Sequence, residues 1–143
     1  MLWNRDWDCK NVKLVIKQNK LEQLASLLLH SRTQAHAFHW GQKGVGSLSA
    51  HLALGAYYDT IGGLVDGLVE AYQGQYGLIK LQPVNGLDAN NDIKNVIAYF
   101  DKLCQAVAKL RKDEKLQMSW LQNDIDTVVT LLYSTKYKLV NLQ

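Results

Sequence analysis

The sequence predicts an all-α chain, a four-helix bundle in which a long connection crosses over between the second and third helices. Three observations carry this. Only one proline occurs in 143 residues, so little interrupts a helix. Apolar residues recur at three- and four-residue spacing over four long segments. Those segments are joined short, long and short, which suits a bundle whose middle connection runs the length of a helix.

The first helix is expected over residues 12–39, where Val12, Leu14, Val15 and Ile16 precede Leu21, Leu24, Leu27 and Leu28. Three glycines between Gly41 and Gly46 then demand a loop. A second helix should start where Ser47 or Ser49 can cap it and run to Gln73, broken by nothing but glycine. Gly55, Gly62, Gly63 and Gly67 each cost about 1 kcal/mol relative to alanine there, which predicts close approach of another helix. Glycines 74 and 77, Pro83 and Gly86 punctuate the long connection, and at about 3.3 Å per residue it can span a long helix. The third helix is expected over Asn91 to Arg111, with Ile93, Val96, Ile97, Phe100, Leu103, Cys104, Val107 and Leu110 on one face. After a tight turn at Lys112-Asp113-Glu114, residues Leu116, Trp120, Ile125, Val128, Val129, Leu132 and Tyr133 mark the fourth.

Length and composition suit one domain over residues 1–143, with residues 1–11 as an N-terminal arm. No run of about 18 apolar residues exists to span a membrane, and the start lacks the layout of a secretory signal, so a cytoplasmic protein is expected. Cys9 and Cys104 form no C-x-x-C pair, which removes the usual support for zinc-finger, thioredoxin-like and disulfide-scaffold classes and leaves them as buried thiols. No phosphate-binding glycine loop or nucleophile elbow is present either. Trp40 and Trp120 read as core aromatics.

The net charge of +3 is too mild to mark a nucleic-acid binder, but its distribution is uneven. From Gly44 to Ile79 there is no Lys or Arg, yet Asp59, Asp66 and Glu70 lie inside that stretch. On a helix the three fall within about 60° of one another, one acidic stripe with apolar neighbours. Carboxylates bordering buried surface need a cation, a donor or a proton. All four histidines precede or open the same helix: His30, His36, His39 and His51. Mixed imidazole and carboxylate donors suit iron, zinc or manganese. His51 and Asp66, however, are separated by about 22 Å of helix at 1.5 Å per residue, so one chain cannot wrap both around one ion. An antiparallel, two-fold related copy would bring them together.

The pattern His39-Trp40, Gly44, His51, Asp66, Glu70 resembles the ferroxidase signature of the Dps proteins, the mini-ferritins of the ferritin-like superfamily. The fuller run, His36-x-x-His39, His51-x-Ala53-Leu54, Tyr57-Tyr58-Asp59, Leu64-Val65-Asp66 and Tyr72-Gln73-Gly74, is also similar to small Dps-like proteins of bacteriophages. The resemblance covers residues 20–74 by motif. It implies a ferritin-like bundle assembled as a homo-oligomer, usually a dodecamer, with metal ligands His39 and His51 from one subunit and Asp66 and Glu70 from its neighbour. Trp40 would lie beside that site, and His36 and Asp59 are further ligand candidates. Fe(II) would be bound and oxidised by peroxide, and ferric iron stored.

One departure concerns Gly55, which stands where that family has an aspartate supporting the site. The family's long lysine-rich tail for DNA is missing as well. Residues 1–20 carry Arg5, Lys10, Lys13, Lys17 and Lys20 against Asp6 and Asp8, and Lys109, Arg111, Lys112 and Lys115 cluster near the third helix's end, a weak footprint for DNA. The alternative reading is a phage assembly or virion protein that uses the bundle only to multimerise.

Overall fold

The computed structural model describes residues 19–143 apart from Asn85. Among them are four α-helices: α1 (Lys20–Trp40), α2 (Ser47–Tyr76), α3 (Ile93–Arg111) and α4 (Ser119–Asn141), with a 3-10 turn at Glu114–Leu116 before α4. The N-terminal arm and the expected helical start at residues 12–18 lie outside the described residues.

The first three helix starts have local causes. Asn19 and Asp92 cap α1 and α3, their side chains accepting from the N–H groups of Leu21 and Lys94. The expected serine cap of α2 is not what forms. Gly46, at φ +80, takes the cap position, and Ser47 and Ser49 lie inside the first turn, donating to the carbonyls of Gly44 and Gly46. Left-handed backbone is cheap for glycine, so a sharp entry into α2 is available without a side-chain cap. At the far end α2 runs through Gly74 to Tyr76, beyond the expected Gln73. The last helix also outruns its expected apolar pattern, continuing past Tyr133 to Asn141 with Thr135 and Leu139 buried.

The expected core forms. Val96, Phe100, Leu103, Cys104 and Val107 of α3 are buried with Leu24 and Leu28 of α1, Tyr57, Ile61 and Leu68 of α2, and Ile125, Val128 and Leu132 of α4. Tyr57 is enclosed against Phe100 and shares a 2.6 Å hydrogen bond with Ser31, and burial raises its pKa. Burial likewise pushes the Cys104 thiol up, which makes it an inert core thiol. Trp40 departs from expectation. It is 74% exposed, and Trp120 is also partly exposed.

Connectivity follows from what the long connection touches. At the bottom of α1, Asn19 donates to Tyr72 near the end of α2, so α1 and α2 are antiparallel. The chain then climbs back along α1. Backbone N–H groups of Lys80 and Gln82 donate to Glu22 and Ser26, His30 meets the carbonyl of Gly86, and Gln34 exchanges two bonds with the backbone of Asp88. Glu22, Ser26, His30 and Gln34 are spaced by four residues and form one stripe, so a side-chain ladder replaces the backbone ladder the extended segment lacks. Residues 77–92 thus cross from one end of the bundle to the other, and α3 starts beside the end of α1, antiparallel to α1 and parallel to α2. Helix α4 returns, and Gln143, two residues past its end, reaches Gly46. The result is an all-α four-helix bundle with a long crossover between its second and third helices.

Candidate functional site

The sequence-predicted residues separate into two groups. His36, His39 and Trp40, from the last turn and a half of α1, meet His51 and Tyr58 on α2. Asp59, Asp66 and Glu70 lie further along α2 on its exposed face. All three are exposed in the single chain, and among the described residues none of them forms an ion pair. Exposed carboxylates keep their hydration, which is why they need no cation within the chain.

The histidine group has a closed geometry. His39 and His51 stack with ring centroids 3.5 Å apart and planes 19° from parallel. His39 Nδ1 lies 2.7 Å from the carbonyl oxygen of His51, and His51 Nδ1 lies 3.0 Å from the carbonyl oxygen of His39. A carbonyl oxygen only accepts, so each Nδ1 carries a proton and donates it. In the neutral imidazole that leaves both Nε2 atoms as acceptors, the form in which histidine binds a metal. The two lone pairs lie in neighbouring, nearly parallel planes and so serve as separate donor positions.

The reason for the crossed bonds is visible in the backbone. His39 is among the last residues of α1, whose final carbonyls have no helical partner. The Gly41 N–H returns to Ala37 and Phe38, and His51 supplies the donor for His39. His51 therefore caps α1 as well as presenting Nε2.

His36 packs between Tyr58, at 4.1 Å and 18° from parallel, and Trp40, at 4.3 Å. Tyr58 also stands edge-on to His39, 5.3 Å between centroids. Tyr58 has no role assigned from the sequence, where its signal is its place in the run Tyr57-Tyr58-Asp59. His30 sits away from this group, between Tyr99 and the crossover.

The glycines of α2 also behave differently from expectation. No helix of the same chain approaches Gly63 or Gly67, which have open space where a Cβ would be. Side chains approach the other two. A Cβ on Gly55 would lie 3.2 Å from His39 Cε1, and one on Gly62 would lie 3.1 Å from Arg32 Nε, which donates to the carbonyl of Tyr58.

Among the described residues no three of His, Cys, Asp and Glu converge within the chain to hold a metal ion. The basic cluster at the end of α3 is partly neutralised, since Arg111 makes a two-pronged contact with Asp126 at 2.6 and 3.0 Å. No helix of the described residues is long and apolar enough to cross a membrane. Comparison with curated proteins finds no match, and neither does comparison with solved structures. A family model does match, over residues 45–139, a span that contains His51, Asp66 and Glu70 and leaves out His39. With about two thirds of its length matched, the chain belongs to DUF5856, a family of unknown function.

Proposed function

We propose that this chain is a Dps-like iron-binding protein whose metal sites form between subunits. His39 and His51 of one copy would meet Asp66 and Glu70 of the next, and Fe(II) would be the substrate, oxidised by peroxide and stored as ferric iron within a homo-oligomer, a dodecamer by resemblance. The single observation that carries this is the crossed histidine pair, which leaves two Nε2 acceptors at one end of a helix whose exposed face carries unpaired carboxylates. The single long crossover, with α1 beside α3 and α2 beside α4, is also the connectivity of a ferritin-like bundle.

An antiparallel pair of α2 helices supports the same reading. Placing His51 midway between the other copy's Asp66 and Glu70 sets a two-fold axis near residues 59 and 60. That register puts exposed Ala56 opposite the partner's Gly63 and exposed Leu52 opposite the partner's Gly67, so the glycines with open space receive the larger side chains. Asp59 then lies beside the axis, away from the histidines, and does not stand in for the aspartate missing at Gly55. Trp40 adjoins the histidine group through His36, where it would flank the site. Iron is preferred over zinc or manganese because of the resemblance, as the donor set suits all three.

Anaerobic Fe(II) titration followed by peroxide, with ferric absorbance as the readout, tests the proposal. Saturable binding and oxidation are expected in the wild type, with loss of both in Asp66→Ala. An oligomer that neither binds nor oxidises Fe(II) overturns it and favours the alternative, a phage assembly or virion protein. That reading has its own support: His51 already has a structural task as the cap of α1. DNA binding rests only on the dispersed lysines, and a gel shift absent at low salt excludes it.

A further inference from the structure

We propose that Gly55 is a positioning residue that lets two backbone carbonyls hold His39 and His51 in their Nδ1–H form. The inference rests on the metal reading above only for its functional consequence. Its geometry is independent of any metal.

To donate to the carbonyl of His51, the His39 ring must lie against the backbone of α2. In a regular helix that carbonyl points along the axis toward the N–H of residue 55, so the ring enters the space beside residue 55. With Gly55 the space is open. A Cβ there would stand 3.4 Å from His39 Nδ1, at the edge of ordinary contact, and 3.2 Å from Cε1, a few tenths of an ångström too close. The ring cannot easily retreat, because Tyr58 stands edge-on to it and His51 stacks on its face at 3.5 Å. Any side chain at position 55 therefore works against the 2.7 Å bond and, through the stack, against the reciprocal 3.0 Å bond from His51.

Glycine inside a helix costs about 1 kcal/mol relative to alanine, and here its use is the close approach of an imidazole. A ligating histidine commonly has its second nitrogen held by a carboxylate or a backbone carbonyl, which fixes the tautomer. In this chain both acceptors are backbone carbonyls, and Gly55 provides access to one of them. The absence of a carboxylate at position 55 is thus part of how the pair is held.

The experiment is a long-range 1H–15N correlation on 15N-histidine-labelled full-length protein without metal, with His30→Gln and His36→Gln used to assign the remaining two rings. The expected result is Nδ1–H in both His39 and His51 of the wild type, and mixed or Nε2–H tautomers in Gly55→Ala. Gly74→Ala, in open space, should leave both rings unchanged. Fe(II) affinity in Gly55→Ala should fall by about tenfold or more, while thermal stability changes little, because the better helix former offsets the weakened bonds. Nε2–H on either wild-type ring overturns the proposal even if Gly55→Ala fails to fold, and so does a Gly55→Ala spectrum identical to the wild type. If the tautomers respond as expected but the wild type binds no Fe(II), the positioning role stands and the metal reading falls.

Discussion

The outer stripe of α1 and the exposed face of α2 carry polar residues at similar helical spacing, and the fold treats them in opposite ways. On α1, Glu22, Ser26, His30 and Gln34 are each bonded to the crossover, and Ser26 and Gln34 are buried by it. On α2, Asp59, Asp66 and Glu70 face outward with no ion pair among the described residues. One stripe is completed inside the chain, whereas the other stands hydrated and is left free for the second copy that the proposed function calls for. The two faces should therefore respond to substitution in different ways: stability for α1, assembly and metal for α2.

Breaking the α1 stripe should have the largest effect on folding. Gln34→Leu removes both hydrogen bonds that tie the Asp88 backbone of the crossover to α1, and at about 1 kcal/mol each a loss of about 2 kcal/mol is expected in urea unfolding. A change under 0.5 kcal/mol would mean that the crossover is not held by this ladder. His51→Ala removes the donor that satisfies the end of α1 and should cost about 1 kcal/mol, in addition to any effect on metal. Asp66→Ala should stay within about 0.5 kcal/mol by the same measurement, because that carboxylate is exposed and unpaired in the chain. Gly67→Leu sharpens the comparison further. Within one chain its side chain meets open space, so the bundle should fold, but the particle mass should drop if α2 helices pair across a two-fold.

The smallest effect belongs to the exposed Arg111–Asp126 pair. The Arg111 hydrogen bond holds the Asp126 carboxyl below its ordinary range, and a depressed carboxylate stabilises the fold above its unfolded pKa, with that contribution lost as pH falls through the folded value. The difference in Tm between wild type and Asp126→Asn should be small at neutral pH, narrow toward pH 3 and shrink in high salt. A gap that widened on acidification would contradict this assignment.

Most of the architecture was legible because it rests on side-chain periodicity. The apolar face of α3 matched residue for residue, and one proline with clustered glycines marked the joints. The path of the crossover was not legible, since Glu22, Ser26, His30 and Gln34 at four-residue spacing read like any solvated helix face until a backbone is laid against it. Trp40 was misread for a related reason: an aromatic at a helix end was assigned to a core that stops two residues earlier, at Phe38. The family resemblance, and not the spacing, paired His39 with His51. Their mode of contact was hidden, because the acceptors are backbone carbonyls and no pattern of residue types records them.

The central claim is that the histidines and carboxylates of one metal site come from different subunits. Co-expressing His51→Ala with Asp66→Ala chains and titrating the mixed oligomer with Fe(II) under anaerobic conditions tests it most directly. Each variant alone should bind none at this site, and random co-assembly should restore about a quarter of the wild-type sites, since only a histidine-bearing chain facing a carboxylate-bearing chain rebuilds one. A mixed oligomer with no restored site would place the ligands within one chain or nowhere, and would contradict the account.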